Sequence, residues 1–139
     1  MIDFEKLKIK DYKHWEVYLF SNQYYLGRLF LWAKRKNAID FLEMTKDEKE
    51  EFFKLAKKIK KTLRGLFKPD LMNYASLGNV MTHLHVHFIP RYKKPRTLYD
   101  IDFVDENWGR NYAPYNKSFR LPEDILFKLR DKIKKKLET

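Results

Sequence analysis

The chain has 139 residues, the size of one domain and long enough to bury a hydrophobic core of its own. It contains no cysteine, which excludes disulfides and thiolate metal sites, and its 44% apolar and 17% aromatic content is too high for a disordered chain. The formal net charge of +11 favours an anionic partner, from nucleic acid to nucleoside phosphates, although lysine-rich helix surfaces are the simpler explanation of the charge.

The first half of the chain predicts two strands joined by a turn. Residues 15–20 and residues 29–33 are rich in aromatic and branched apolar side chains, as strands are. Ser21, Asn22 and Gln23 provide a turn signal between them, and Gly27 precedes the second strand. Strands connected this closely pair antiparallel.

A long helix is predicted from Thr45 onward. Thr45 and Glu48, three residues apart, form a capping box at its start. Apolar residues behind the box recur at steps of three or four, which puts them on one helix face: Phe52, Ala56, Ile59, Leu63 and Leu66. Gly65 and Pro69 bracket the expected end of the helix.

The second half predicts two more strands, at residues 71–77 and 83–89, and a final helix. Between them lies a polar, aromatic-rich segment that Pro90, Pro95 and Pro114 punctuate and that we expect to be irregular. Pro122 suits the start of the last helix. Its apolar stripe has four-residue spacing: Ile125, Leu129, Ile133 and Leu137. The order strand, strand, helix, strand, strand, helix predicts the α+β class.

Three of the four histidines alternate with apolar residues in the stretch 83–89. Because successive side chains of a strand point to opposite faces, His83, His85 and His87 share one face, at steps of about 6–7 Å. The residues between them point into a core beneath the long helix: Leu84, Val86 and Phe88. Three imidazoles on one rigid face suit metal ligation, or nucleotidyl transfer with one imidazole as the nucleophile.

The residues just before this strand favour phosphate over metal. Gly78 allows a ligand to approach the backbone closely, while Asn79 offers an amide donor and Thr82 a hydroxyl. A metal site would instead need carboxylates or further histidines, and residues 73–91 contain no Asp or Glu. Arg91 and Lys93 add positive charge for a polyphosphate, although either is equally ordinary surface charge.

These residues resemble the histidine-triad (HIT) family. The three alternating histidines closed by two apolar residues match its signature, and residues 73–74, 77–79 and 89–92 look like the prokaryotic branch described as diadenosine polyphosphate hydrolases. The resemblance is strongest over residues 15–92. It implies a single HIT-like domain over residues 1–139, with an antiparallel sheet, one long helix and a C-terminal helix, usually assembled as a homodimer.

The resemblance also implies a mechanism. His85 matches the nucleophile that attacks the α-phosphorus of a nucleotide and carries the nucleoside monophosphate as a covalent intermediate until water releases it. His83 and His87 would orient that step and bind phosphate oxygens, and Asn79 matches a phosphate-binding amide. Asn22 lies where related chains often hold a ribose-binding residue, although the turn itself also explains an asparagine there. The implied substrates are dinucleoside polyphosphates or nucleoside phosphoramidates.

Two departures from the family pattern concern the leaving group. Many relatives carry a histidine at the position of Arg28. The prokaryotic branch often has another within residues 34–37, where this chain has Lys34, Arg35, Lys36 and Asn37. These changes leave the surroundings of the leaving group open, but not the geometry of attack. Histidine at position 87 fits the hydrolases better than the transferases, which commonly carry glutamine there.

Other functions stay open on the sequence. The chain could be a slow or non-catalytic nucleotide-binding module, or a zinc-binding or nucleic-acid-binding protein. No built-in cofactor is expected, and a divalent cation that enters with a polyphosphate substrate is left open. The chain has no apolar stretch of membrane-spanning length and no signal-peptide pattern, so we expect a cytoplasmic protein without a membrane partner.

Overall fold

A computed structural model describes residues 3–139, and its centre is a five-stranded antiparallel sheet with the strand order β1-β2-β3-β5-β4. The strands are β1 Lys8–Asp11, β2 Trp15–Leu19, β3 Leu29–Ala33, β4 Leu71–Ala75 and β5 His85–Arg91. Two α-helices, α1 Lys46–Phe67 and α2 Glu123–Leu137, pack against each other, and α2 also contacts β1. A short hairpin follows the sheet, formed by β6 Arg96–Leu98 and β7 Ile101–Phe103.

The β2–β3 hairpin confirms the first two predicted strands, and a buried glutamine shapes its connection. The side-chain amide of Gln23 donates to the carbonyls of Phe20 and Arg28 at 2.7 and 2.8 Å, and its carbonyl accepts from the Gly27 N–H at 2.8 Å. Gly27 has φ +88°, and a Cβ there would lie 3.0 Å from the ring of Phe67. Glycine is therefore required where the chain turns toward Arg28.

Helix α1 begins and ends where the sequence predicted. Thr45 is the N-cap of a complete capping box, in which its hydroxyl accepts from the Glu48 N–H. The last helical residue is Phe67, which lies between Gly65 and Pro69, as the sequence predicted. The left-handed residue that terminates α1 is Lys68, with φ 52° and its N–H bonded to the carbonyl of Arg64.

One face of the sheet packs against α1 to form the hydrophobic core. Leu84, Val86 and Phe88 are all buried there, as the alternation predicted, and the Phe88 ring lies 6.3 Å from Phe52 of α1. The apolar side of α1 is rotated slightly from the predicted stripe, because Leu55 and Phe67 are buried while Ala56 and Leu66 are only partly buried. In α2 the buried residues are Leu126, Leu129, Ile133 and Leu137, and Ile125 is half-buried.

The sequence did not predict β1 or the β6–β7 hairpin. Three of the four residues in β1 are charged, because it is an edge strand that buries only Ile9. The hairpin strands have three residues each, and the two turn residues, Tyr99 and Asp100, both have positive φ, as a tight two-residue hairpin turn requires. The two strands next to the histidines differ from their predicted bounds. Strand β4 ends two residues early, at Ala75, and β5 begins two residues late, at His85, so His83 precedes the strand.

A buried ion pair fastens the segment after β7 to the sheet. Arg91 is 3% exposed, and its Nε donates to Oδ2 of Asp105 at 2.7 Å. The same guanidinium donates to the side chain of Asn73 and to the carbonyls of Asn107 and Arg110. Because every donor group is engaged and the removal of one partner of a buried pair costs about 3–5 kcal/mol, Arg91 is a structural residue. It is not a phosphate-binding charge, which had been one of the two possibilities from the sequence.

Candidate functional site

The pairing of β3 with β5 brings two of the three histidines together. Trp32 lies opposite His85, and Phe30 lies opposite His87. Directly opposed residues of an antiparallel pair share one face of the sheet, and the rings of His85 and His87 have centroids 5.2 Å apart. His83 comes just before β5, but its ring stacks on Trp32 with centroids 4.3 Å apart. The three imidazoles therefore form one row, as the sequence predicted.

The surface around this row is aromatic. The ring of Trp32 lies 5.8 Å from His85, and the rings of Phe30 and Phe20 lie 5.4 and 5.1 Å from His87. All three imidazoles are half-buried by these contacts. Aromatic walls fix the ring planes and keep bulk water away from part of each imidazole, which strengthens electrostatic interactions at the site.

Backbone carbonyls determine which nitrogens of His83 and His85 carry protons. Nε2 of His83 lies 2.6 Å from the carbonyl oxygen of Ala33, and Nδ1 of His85 lies 2.7 Å from the carbonyl oxygen of His83. A carbonyl oxygen only accepts hydrogen bonds, so each of these nitrogens must be the donor. In the neutral ring of His85 the proton is therefore on Nδ1, and Nε2 keeps its lone pair.

The third imidazole, that of His87, faces the side chain of Arg28 rather than a backbone carbonyl. Nε and Nη2 of Arg28 both lie 3.4 Å from Nδ1 of His87. Arg28 is only 4% exposed. The arginines that form salt bridges within residues 3–139 are Arg35, Arg91, Arg96 and Arg130, and so Arg28 is a buried cation without a carboxylate partner there. Nη1 of Arg28 also lacks a hydrogen-bond partner in that part of the chain.

Aromatic rings take the place of a counterion around Arg28. The guanidinium carbon lies 4.1 Å from the ring centre of Phe20 and 5.3 Å from those of both Tyr112 and Tyr115. Such contacts stabilise a desolvated guanidinium through the negative faces of the rings. We call Phe20, Tyr112 and Tyr115 the aromatic cage of Arg28.

The segment expected to be irregular supplies two members of this cage. The Tyr25 hydroxyl donates to the carbonyl of Tyr112 at 2.5 Å, and the Asn107 amide donates to the carbonyls of Tyr112 and Pro114 at 3.1 and 2.8 Å. These bonds hold Tyr112 and Tyr115 in place over Arg28. Sequence reasoning missed both tyrosines, and the only signal was their spacing around Pro114 in an aromatic-rich stretch.

The surroundings of His87 oppose its protonation. Burial is the largest cause, followed by the positive charge of Arg28 and the proximity of His85, and together they lower the pKa of His87 from its ordinary 6.5 to about 3. A lowered histidine pKa follows when the charged form loses solvation and faces another cation. His87 is therefore neutral at physiological pH.

Two cavities are lined by other residues that the sequence singled out. A cavity of about 280 Å³ adjoins His83 and His85 and is lined by Gly78 and Thr82 among others, whereas Asn79 is exposed in the same loop. Asn22 lines a separate cavity of about 430 Å³ that Phe20 and Tyr115 also border.

The side chain of Asn22 is already engaged in the turn. Its Oδ1 accepts from the Tyr24 N–H at 2.9 Å, and its Nδ2 donates to the carbonyl of Asn116 at 3.1 Å. These bonds are those of an Asx turn that is tied to the later loop. The structure thus gives Asn22 a local structural role beside a cavity large enough for part of a nucleoside.

Within residues 3–139, no group of three or more His, Cys, Asp or Glu side chains is arranged to hold a metal ion. Over the same residues, neither helix is long and apolar enough to cross a bilayer.

Comparison with known proteins yields matches in both sequence and structure. The profile of the HIT domain family matches residues 28–94. A bis(5'-adenosyl)-triphosphatase of Saccharomyces cerevisiae is 29% identical over 72 residues, which cover 48% of this chain and only 35% of the yeast enzyme. The chain thus spans about a third of the length of the curated relatives that it matches.

The structural likeness extends over nearly the whole chain. A HIT protein of Sinorhizobium meliloti superposes with a TM-score of 0.78 at 19% identity, covering 98% of this chain and 96% of that one. A histidine triad protein of Bradyrhizobium japonicum gives a TM-score of 0.77 at 19% identity, with 96% and 92% coverage. The predicted α+β fold, an antiparallel sheet with one long helix and a C-terminal helix, is confirmed.

The pKa of His87 predicts a specific pH dependence of stability. Below the pKa of about 6.5 that an unfolded histidine has, the unfolded chain binds a proton at this residue, while the folded chain does not until pH falls to about 3. The free energy of unfolding of the native chain should therefore fall as pH drops through this window. His87→Gln should remove that part of the slope, up to about one proton per molecule.

The measurement is urea unfolding at a series of pH values between 7 and 4. His14→Gln is the matched control, because it removes a histidine that lies outside the row. An unchanged slope in His87→Gln would show that His87 is not held neutral by the fold.

Proposed function

We propose that this chain, whose residues 28–94 match the profile of the HIT domain family, hydrolyses nucleotides by attack of His85 on the α-phosphorus. Dinucleoside polyphosphates and nucleoside phosphoramidates are the two candidate substrate classes. The hydrogen bond of 2.7 Å from Nδ1 of His85 to the carbonyl of His83 is the observation that carries the proposal. In the neutral ring it leaves the lone pair on Nε2, where a nucleophile needs it.

In the first step, Nε2 of His85 forms a bond to the α-phosphorus as the bond to the leaving group breaks. With a polyphosphate, the electron pair of the broken bond leaves on the β-phosphate oxygen. With a phosphoramidate, it leaves on the nitrogen, which takes up a proton from water and departs as an amine. His85 becomes a positively charged phosphoimidazole, and its Nδ1–H can still donate to the carbonyl of His83. That hydrogen bond stabilises the charge as it develops.

In the second step, water attacks the phosphorus of the intermediate. The new P–O bond forms as the P–N bond to His85 breaks, which returns the lone pair to Nε2 and releases a nucleoside monophosphate and a proton. Because histidine is a good leaving group from phosphorus in its cationic form, one side chain serves both steps.

The other residues of the site would bind rather than react. We propose that His83 and His87 orient the substrate and bind phosphate oxygens, and that Asn79 reaches the phosphate once substrate fills the cavity at Gly78 and Thr82. The exposed position of Asn79 leaves its amide free to turn toward that cavity. A ribose contact of Asn22 would use the cavity of about 430 Å³ beside Phe20, and would have to compete with its bonds in the turn.

The chemistry at His85 needs no resident cofactor, and a divalent cation would enter only with a polyphosphate substrate, as a partner of its charge. The charge of +11 attracts a nucleotide as well as a nucleic acid. A cytoplasmic location stays a prediction from the sequence.

We also propose that the chain forms a homodimer through the β4 edge of the sheet. The opposite edge strand, β1, is contacted by α2, whereas β4 exposes the apolar side chains of Leu71 and Tyr74. An apolar cavity of about 550 Å³, lined by Tyr74 and by Phe53 of α1 among others, continues from this edge. An exposed apolar edge strand is a template for pairing with a second chain.

The catalytic proposal predicts that His85→Ala loses activity but keeps its ligand. With diadenosine triphosphate or adenosine 5'-phosphoramidate as substrate, release of adenosine monophosphate should fall by at least about a thousandfold, since loss of a nucleophile has effects of that size or larger. Nucleotide affinity should stay nearly the same, because the removed imidazole mainly serves the reaction. Chromatography of released monophosphate and equilibrium binding of a nucleotide measure the two quantities.

Two controls accompany this experiment. His14→Ala removes a histidine outside the row and should react like the native chain, and EDTA should leave the reaction with the phosphoramidate unchanged. If the native chain binds nucleotide but cuts neither substrate, the protein is a binding module. If EDTA abolishes the reaction, metal chemistry replaces attack by His85.

The homodimer proposal predicts that Leu71→Glu yields a monomer. A carboxylate at this position of each chain would place two like charges at the paired edges, which opposes association. Sedimentation equilibrium measures the mass, and Val104→Glu, which changes an exposed apolar residue after β7, is the matched control. A native chain that sediments as a monomer would contradict the proposal.

A further inference from the structure

Arg28 and His87 form a pair whose geometry allows only one distribution of protons. A guanidinium has five N–H groups and no acceptor, and it keeps its charge at every pH at which proteins are folded. Two of its nitrogens face Nδ1 of His87 at 3.4 Å. A proton on that nitrogen would point at two donors, so Nδ1 must be the unprotonated nitrogen and Nε2 must carry the proton.

The fold holds Arg28 in this orientation. Gln23 fixes the backbone of Arg28 by accepting the Gly27 N–H and donating to the Arg28 carbonyl. The aromatic cage confines the guanidinium from the other side. With 4% of its surface exposed, Arg28 has no aqueous position to which it can withdraw.

We propose that Arg28 is a positioning residue that fixes His87 as a neutral Nε2–H donor, and that the site thereby favours leaving groups that depart as phosphate oxyanions over those that depart as amines. The first half of this inference concerns His87 alone, and the second half rests on the proposed hydrolase function. It assigns a role to the position at which this chain departs from the family pattern.

The two substrate classes differ in the proton that their leaving groups need. When a phosphoanhydride bond breaks, the electron pair stays on an oxygen that is stable as a phosphate anion, and no proton is required. When a phosphoramidate P–N bond breaks, the nitrogen must gain a proton to leave as an amine. A neutral imidazole that donates this proton would become an imidazolate anion, whereas an imidazolium would simply become neutral. Since burial and the charge of Arg28 together oppose the imidazolium form of His87, this residue can bind an oxyanion but is a poor acid.

Few other titratable groups face His87. His85 is its neighbour on β5, with rings 5.2 Å apart, and Arg28 faces it from the start of β3. Tyr112 and Tyr115 face Arg28 from the later loop. From β4, the residue paired with His87 is Ala75, which does not titrate. Arg28 is thus the dominant charge beside the ring.

The direct test is the protonation of His87 observed by nitrogen NMR. In chain labelled with ¹⁵N, long-range proton–nitrogen correlations distinguish a protonated from an unprotonated ring nitrogen, and His87→Gln assigns the signals. The native chain should show Nδ1 unprotonated and Nε2 protonated, without change from pH 8 to pH 5. In Arg28→Gln, whose side chain can both donate and accept, the ring should show both tautomers, and the pKa of His87 should rise because one cause of its lowering is removed.

The second test is the substrate preference of the same variants. The ratio of kcat/KM for diadenosine triphosphate to that for adenosine 5'-phosphoramidate should fall in Arg28→Gln by about ten- to a hundredfold, since a general acid contributes about that much or more. Arg28→Lys, which keeps the charge, should restore part of the ratio. Arg130→Gln removes an arginine on α2 and should leave the ratio unchanged.

The outcomes separate this inference from the proposed function. A native chain whose His87 carries its proton on Nδ1, or protonates near its ordinary pKa, overturns the inference whatever the chain hydrolyses. If the NMR result is as expected but neither substrate is cut, the proposed function fails and the role of Arg28 toward His87 stands. If both substrates are cut and the ratio does not change in Arg28→Gln, the selectivity is overturned. Because the NMR measurement on the native chain does not depend on Arg28→Gln, a poorly folded Arg28→Gln would not prevent the test.

Discussion

The pairing of β3 with β5 is the constraint on which the site depends. It sets Trp32 opposite His85 and Phe30 opposite His87, so that the aromatic side chains of one strand support the imidazoles of the next. The same pairing brings Arg28, the residue just before β3, within 3.4 Å of His87. A shift of register by one residue would turn the histidines into the core and Val86 and Phe88 out of it. Burial of these apolar residues against α1 therefore also fixes the position of the histidine side chains.

Hydrogen-bonding partners with a single role then fix the protons. The carbonyl of His83 can only accept, and Arg28 can only donate, so each determines the tautomer of the imidazole that it faces. The effect is opposite in the two rings, since His85 keeps its proton on Nδ1 and His87 keeps its proton on Nε2. One ring is left with the lone pair that the proposed attack on phosphorus requires, and the other presents the N–H that we propose binds negative charge. Two identical side chains on one strand are thus prepared for different tasks by their neighbours.

The sequence predicted the parts of this molecule that depend on local patterns. Alternation identified the histidine row and the buried Leu84, Val86 and Phe88, and the capping box located the start of α1. Residues whose roles depend on distant contacts could not be predicted. Arg28 could be seen only as a departure from a family pattern, because its environment is made by Phe20 and by Tyr112 and Tyr115, more than eighty residues further along the chain. Arg91 was open between surface charge and phosphate binding until its bond to Asp105 became visible.

The stereochemical course at phosphorus tests the central claim most directly. A substrate with a sulfur atom and a defined configuration at the α-phosphorus would be hydrolysed in water enriched in ¹⁸O, and the configuration of the released thiophosphate determined. Attack by His85 followed by attack by water is two displacements, each of which inverts the phosphorus, so the account predicts overall retention. Overall inversion would mean that water attacks the substrate directly, and would contradict the role of His85 as a nucleophile.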